Sequence, residues 1–91
     1  MGYDANEFTP IDIISQGNLS ASIYRCRGQK GIYYSTEINH FYYSGRTLKR
    51  TDTYRDCDLL PLSNLAIRAY NRICSLKADD QASRLAPAAH A

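Results

Sequence analysis

Residues 19–54, LSASIYRCRGQKGIYYSTEINHFYYSGRTLKRTDTY, decide the fold of this 91-residue chain. Tyr, Ile, Thr and Phe dominate the stretch, and glycines interrupt it at Gly28-Gln29-Lys30-Gly31 and at Ser44-Gly45-Arg46. Aromatic and β-branched side chains favour strands, and glycine-containing turns between such runs favour hairpins. The stretch therefore predicts an antiparallel β-meander.

Three strands are predicted, over about residues 11–26, 32–43 and 47–54. In the first, Leu19, Ala21 and Ile23 alternate with polar neighbours, which is typical of a strand with one buried face. We interpret Gln16-Gly17-Asn18 as a kink within one broken strand, and the alternative is a separate short strand at residues 11–14. The sheet then has three long or four short strands.

After Tyr54 the apolar spacing changes to three and four residues, which predicts a helix over about residues 58–76. We place its N-cap near Asp58, so that Pro61 falls in the first turn, and we place Arg68 and Arg72 on the solvated face. The predicted fold is α+β, a meander followed by one C-terminal helix packed on one sheet face. The apolar residues of the helix are Leu59, Leu62, Ala66, Ala69, Ile73 and Leu76.

Residues 11–76 form the predicted single domain, between a flexible N-terminus at 1–10 and a disordered, alanine-rich tail at 77–91. Leu, Ile and Phe number only 18 and Val is absent, so the core is small. One helix covers roughly 10 Å of width, which is less than three or four strands spaced ~4.8 Å apart. Part of the sheet is therefore exposed or covered by another chain, and we predict a homodimer.

The net charge of +2 hides an asymmetry along the chain. Residues 1–22 carry −3, residues 23–55 carry +5, and residues 56–91 are neutral. The chain has no apolar run of membrane-spanning length and its start does not resemble a signal peptide, so we predict a cytoplasmic protein without membrane contact. Cys26, Cys57 and Cys74 form no close pair, and neither a disulfide framework, a metal site nor another cofactor is predicted.

Catalysis is the least supported function class. The chain has two histidines, His40 and His90, and His90 lies in the predicted tail. None of the phosphate-loop, dinucleotide-binding or zinc-protease motifs occurs, and the carboxylates are scattered. We therefore predict a protein that is not an enzyme and has no small-molecule substrate.

A set of spaced residues resembles a recurring type of small bacterial protein of uncharacterised function. The set covers about 60 residues and has the pattern N-L-x-A-x-I-[WY], Y-x-S, Y, T-x-x-[FY] and D-L. The resemblance implies a β-meander followed by a helix, similar in outline to PC4-like and Whirly-type single-stranded DNA binding modules, and it implies no activity. The residues that carry the resemblance are Gly17, Asn18, Leu19, Ser20, Ala21, Ser22, Ile23, Tyr24, Tyr33, Ser35, His40, Tyr42, Gly45, Thr51, Tyr54, Asp58, Leu59, Leu62, Ala69 and Ile73.

The middle third combines rings with cations, as single-stranded nucleic-acid sites do. Rings at Tyr24, Tyr33, Phe41 and Tyr43 interleave with its Arg and Lys residues. We predict a non-enzymatic module that binds single-stranded DNA or RNA, and the alternative is a protein-binding or dimerisation module. Strand alternation puts Tyr33 and Tyr42 on opposite faces, so both contact one ligand only if the strand bulges or twists. The predicted contacts are Tyr24, Arg25, Arg27, Tyr33, His40, Tyr42, Arg46, Lys49 and Arg50.

Overall fold

The structure, a computed structural model, describes residues 9–85. Four strands, β1 (Asp12–Gln16), β2 (Leu19–Gly28), β3 (Gly31–Ser44) and β4 (Thr47–Thr51), form one antiparallel sheet in chain order. A single helix, α1 (Asp56–Leu85), follows the sheet and packs on it. The predicted α+β fold is confirmed.

The chain reverses direction at Gly17-Asn18, where Gln16 pairs with Leu19. The interpretation of one broken strand is therefore wrong, and the alternative of a separate short strand is confirmed. Gly17 has a φ of 60°, and Gly45 has a φ of 67° at the same position of the β3–β4 turn. A type II′ hairpin turn requires a positive φ at its first central residue, which glycine adopts without steric cost.

β3 is much longer than the strand that follows it. β4 pairs only with residues 40–44 of β3, whereas β2 pairs with residues 31–40. The predicted third strand, 47–54, ends early because the N–H of Thr53 donates to Thr51 Oγ1 at 3.0 Å and turns the chain out of the sheet. Along residues 31–39, β3 consequently has a strand neighbour on one side only within the part of the chain described.

The helix begins at Asp56, and Arg55 is its N-cap residue. The Arg55 N–H donates to Asp58 Oδ2 at 2.8 Å, so the Asp58 carboxylate reaches back to the cap as the third residue of a capping box does. The predicted N-cap at Asp58 and the first-turn position of Pro61 are both wrong. Pro61 lies in the second turn, where its missing N–H removes the helical hydrogen bond to the Cys57 carbonyl.

The helix continues to Leu85, nine residues beyond its predicted end. Residues 77–85, predicted as tail, are helical, since Ala and Lys favour helices and Asp80 is held by β2 and β3 as described below. Residues 86–91, and residues 1–8 of the predicted flexible N-terminus, lie outside the described part.

The core lies between β2 and α1. Leu19, Ala21 and Ile23 of β2 are buried against Leu65 and Ala69 of α1, because every second residue of β2 faces the helix. The surrounding partly buried side chains come from β1, β3, the connection between β4 and α1, and α1 itself. These are Ile14, Tyr34, Ile38, Tyr54, Leu62, Ile73 and Leu76.

The helix packs mainly on β1 and β2. Four of the six predicted apolar residues, Leu62, Ala69, Ile73 and Leu76, pack against the core, and the prediction is wrong only for the other two. Leu59 and Ala66 are exposed, whereas Leu65 is fully buried. The two arginines predicted to face solvent contact β1: Arg72 Nε donates to Asp12 Oδ2 at 2.7 Å, and Arg68 Nη1 donates to the Ser15 carbonyl at 3.1 Å. A second apolar stripe remains exposed on the outer side of α1, at Leu59, Leu60, Ile67 and Tyr70.

Candidate nucleic-acid interface

The nine predicted contact residues are divided between the two faces of the sheet. The face opposite α1, called the open face here, carries Tyr24, Tyr33 and Arg50. Tyr33 and Tyr42 do lie on opposite faces, because the register of β3 is continuous and no bulge rotates either side chain. The helix side carries Arg25, Arg27, His40, Tyr42 and Lys49, and Arg46 lies in the β3–β4 turn.

His40 is buried, with 6% of its surface exposed. Its ring stacks on Tyr54 with 4.8 Å between ring centroids and 11° between planes. Its Nδ1 lies 3.1 Å from the Thr53 carbonyl oxygen, which only accepts, so Nδ1 carries the hydrogen. Nε2 lies 3.8 Å from Asp58 Oδ2. His40 therefore fixes the crossing from β4 to α1 and presents no free surface to a ligand.

Arg25 is engaged in an ion pair with the C-terminal half of α1. Its Nη2 lies 3.2 Å from Asp80 Oδ1, and Tyr34 Oη donates to Asp80 Oδ2. The hydrogen bond from Tyr34, followed by that from Arg25, holds the pKa of Asp80 below its ordinary value. Desolvation, followed by the hydrogen bond to Asp80, raises the pKa of Tyr34. Sequence reasoning missed this cluster because it assigned Asp80 to the tail.

A groove of about 620 Å³ lies between the β2–β3 turn and the C-terminal half of α1. Lys30 and Lys77 line it, together with the Arg25–Asp80 pair. Arg27 is exposed at this end of the sheet, on β2 beside the turn. Because Asp80 offsets Arg25, the groove carries less positive charge than its cations alone suggest.

The opposite end of β3 carries rings and cations without a carboxylate. We call residues 41–50, the paired ends of β3 and β4 with their turn, the distal hairpin. Phe41 pairs with Arg50, Tyr42 with Lys49, and Tyr43 with Leu48. Directly opposed side chains on a strand pair lie ~4.5–5.5 Å apart at Cβ, so Arg50 is placed beside the Phe41 ring and Lys49 beside the Tyr42 ring. Residues 38–51 contain no Asp or Glu.

Rings of the distal hairpin are accessible on both sides. Tyr43, on the open face, is 72% exposed, and Tyr42, on the helix side, is 43% exposed. The helix side is free because α1 packs mainly on β1 and β2. Phe41 and Tyr43 were missing from the predicted contacts, and the signal that finds them is their two-residue spacing from each other, opposite Arg50 and Leu48.

The open face above β2 is less suited to a polyanion. Tyr24 Oη donates to Glu37 Oε1 at 3.3 Å, and this carboxylate lies near the centre of the face. The Tyr33 ring packs over Gly28, where an added Cβ would lie 3.2 Å from a ring carbon. A phosphate chain crossing this region would meet the negative charge of Glu37. The distal hairpin is therefore the stronger candidate site.

Within residues 9–85, no group of three or more His, Cys, Asp or Glu side chains is arranged to hold a metal ion. Cys26 is buried, whereas Cys57 and Cys74 are exposed, and these three are free thiols. No helix in the described region has the length and apolar character needed to cross a membrane. Comparison of the chain with protein-family models, curated proteins and solved structures found no match.

Proposed function

We propose that the protein is a non-enzymatic module that binds single-stranded DNA or RNA through the distal hairpin. The observation that carries the proposal is the register of this hairpin. It pairs Phe41 with Arg50 and Tyr42 with Lys49 in a segment free of carboxylates and beyond the cover of α1. Rings that stack on bases and cations that neutralise phosphates are the two elements of sequence-tolerant single-strand recognition.

Each stacked base contributes ~1–3 kcal/mol, and every base has a face that a tyrosine ring can cover. The exposed rings of Tyr42 and Tyr43 are the proposed stacking positions. Arg46, Lys49 and Arg50 are the proposed phosphate contacts. Phe41 supports Arg50 from the neighbouring strand.

The proposed nucleic-acid contact residues differ from those predicted from the sequence, and each difference has a physical reason. Arg25 and His40 are left out, because the first is paired with Asp80 and the second is buried. Tyr24, Arg27 and Tyr33 lie towards the other end of the sheet, on the β2–β3 hairpin. A ligand that reaches both Tyr42 and Tyr33 would have to follow most of β3, or roughly 30 Å at ~3.3 Å per residue.

Fluorescence anisotropy with a labelled oligothymidine tests the proposal. Three phosphate contacts give a log–log salt slope of about −2 for a single strand, so affinity falls roughly 15-fold between about 50 and 200 mM salt. The double variant Lys49→Gln/Arg50→Gln is expected to reduce the slope to about −0.7. Lys77→Gln, which removes a cation from α1, is the control and keeps the wild-type slope.

Tyr43→Ala tests the stacking contribution separately from charge. Loss of one stacked base weakens binding by ~1–3 kcal/mol, or about 5- to 150-fold. Leu48→Ala, which shortens the apolar side chain directly across the strand pair, is the matched control and changes affinity little. Absence of oligothymidine binding at the lower salt concentration, or equal binding by the charge variant and the wild type, contradicts the proposal.

The alternative proposal is a dimerisation module that does not bind nucleic acid. The observation that favours it is the long side of β3 without a strand neighbour, at residues 31–39. The two proposals respond differently to ionic strength. Oligonucleotide affinity falls steeply with salt through counterion release, whereas pairing through backbone hydrogen bonds and apolar contacts is nearly insensitive to it.

A further inference from the structure

Among residues 9–85, β3 has a strand partner on only one side along more than half of its length. The Phe41 N–H donates to the Asn18 carbonyl at 3.0 Å, so the odd-numbered residues of β3 direct their backbone groups towards β2. The even-numbered residues direct theirs to the other side, where β4 pairs only with residues 40–44. Among the described residues, four backbone positions therefore face no strand: Ile32, Tyr34, Thr36 and Ile38.

The other two edges of the sheet are protected, in contrast to this one. β1 has five residues, follows Pro10, and has its Ser15 carbonyl covered by Arg68 from α1. β4 also has five residues, and it carries Lys49 and Arg50. Short length, proline, lysine and cover by another element are the usual protections of an edge strand.

On the free side of β3, the described part of the chain shows none of these protections. Residues 32–39, IYYSTEIN, carry one charge, at Glu37, and contain neither proline nor lysine. The pairing of these residues with β2 is continuous, so no bulge twists the edge away. Such an edge is a template for the addition of a further strand.

We propose that the free edge of β3 pairs antiparallel with the same edge of a second copy of this chain, giving a two-fold symmetric dimer with one continuous eight-stranded sheet. This proposal rests on the alternative function, self-association, and is independent of nucleic-acid binding. The register that uses all four free positions places the two-fold axis at Ser35. It pairs Ile32 with Ile38 of the second copy and Tyr34 with Thr36 of the second copy.

This register is self-complementary in shape and charge. The four residue pairs exchange up to about eight backbone hydrogen bonds, and the Ile32–Ile38 pairs add apolar contact. The β2–β3 turn of each copy then abuts the end of β4 in the other, which brings Lys30 towards Asp52 of the second copy. α1 packs mainly on β1 and β2, and near this edge it contacts β3 through Asp80, which accepts a hydrogen bond from Tyr34.

Sedimentation equilibrium in the absence of nucleic acid tests the proposal. The wild-type chain is expected to sediment at twice its 10.3 kDa. Thr36→Pro removes an N–H that points away from β2, a change that an edge strand tolerates. This variant should therefore keep the far-UV circular dichroism of the wild type. Its dimer dissociation constant should rise at least about 100-fold. Leu48→Pro, which removes an outward-facing N–H from β4, is the matched control and remains dimeric.

A cross-linking experiment reads the register directly and does not depend on a proline variant. In a background with Cys26, Cys57 and Cys74 replaced by Ser, Ser35→Cys places two thiols at the proposed axis, where mild oxidation should link the copies. The Cys26→Ser change is required because Cys26 Sγ lies 3.4 Å from Ser35 Oγ and would capture the new thiol. Glu37→Cys is the control. In the proposed register its two thiols, one from each copy, lie four strand positions or roughly 13 Å apart.

The outcomes are decisive in both experiments. Any one of three results would overturn the proposed interface. The first is a wild-type chain that is monomeric at about 100 μM, and the second is a folded Thr36→Pro variant that dimerises as the wild type does. The third is cross-linking of Glu37→Cys that is as efficient as that of Ser35→Cys. Cross-linking of Ser35→Cys alone, with a dimeric wild type, supports it. Failure of oligothymidine binding leaves these results unaffected, so the two proposals fail independently.

Discussion

The half of the sheet beneath α1 and the distal hairpin are built from similar strand-forming residues, yet they differ in what covers them. Leu19, Ala21 and Ile23 of β2 are buried under the helix. In the distal hairpin, by contrast, Tyr43 and Leu48 are more than half exposed. A second layer, rather than the strand pattern, therefore separates the stabilising part of this sheet from the part that is available for contacts.

The two regions also differ in how their stability is determined. The covered half gains from apolar burial, which is worth roughly 25 cal/mol per Å². The distal hairpin has two strands and no buried layer of its own, and isolated two-stranded hairpins are only marginally stable in water. Changes in the hairpin should therefore alter binding and local opening more than global unfolding.

The largest expected effect comes from the covered half. Leu65→Ala removes a fully buried side chain, and we expect the free energy of unfolding to fall by about 2–5 kcal/mol. Ile67→Ala, on the exposed stripe of the same helix, is the control and should cost less than about 1 kcal/mol in the monomer. Urea unfolding followed by circular dichroism measures both, and equal losses would show that the outer stripe is the buried one.

The next largest loss of stability is expected where the chain passes from β4 to α1. Asp58→Ala removes the acceptor of the Arg55 N–H and the carboxylate near His40, and we expect a loss of about 0.5–2 kcal/mol. Asp56→Ala is the matched control at the same helix end, because among residues 9–85 its carboxylate accepts only from the adjacent Cys57 N–H. Thermal unfolding of the two variants should show a clearly larger decrease in Tm for Asp58→Ala.

A smaller effect is expected within the distal hairpin itself. Gly45 has a φ of 67°, so Gly45→Ala strains the turn by about 1–2 kcal/mol although nothing lies within 4 Å of the added Cβ. Hydrogen exchange should show about 5- to 30-fold faster exchange of the β4 amides, with β2 amides unchanged. Faster exchange in both strands would mean that the hairpin and the covered half unfold as one unit.

The smallest effect is a pH dependence at the C-terminal half of α1. Because the pKa of Asp80 is lowered from its ordinary 3.8, its ionised form stabilises the fold above that value, and this contribution is lost as pH falls through the lowered pKa. The ion pair with Arg25 is partly exposed, so the contribution is at most about 1 kcal/mol. Asp80→Asn should reduce the loss of stability between about pH 5 and pH 2, and an unchanged acid profile would contradict this role.

Local sequence patterns were sufficient for the meander and two of its turns. The Gly28–Gly31 and Gly45 turns follow from residues adjacent in the chain, and so does the change to helical spacing after Tyr54. The turn at Gly17-Asn18 was misread, because a glycine beside Asn is compatible with both a kink and a reversal. Only the pairing of Gln16 with Leu19 distinguishes the two.

The candidate site was predicted in composition and only partly in position. Tyr42, Arg46, Lys49 and Arg50 lie in the distal hairpin, as a basic, ring-rich segment suggested. Arg25 did not fit, because its partner Asp80 is 55 residues away in sequence and no local pattern links them. His40 did not fit either, since its burial depends on Tyr54 and Thr53 folding back over it.

Three properties follow from the amino-acid sequence alone: the strand periods, the helix after them and the concentration of positive charge in residues 23–55. These properties depend on residues close together in the chain. Tertiary contacts are needed to show that Leu65 is buried while Leu59 and Ala66 are exposed, which sheet face lies under the helix, and which side of β3 has no strand neighbour among residues 9–85. Each of those depends on pairings between distant segments, such as Arg72 with Asp12 and Arg25 with Asp80, that no local pattern encodes.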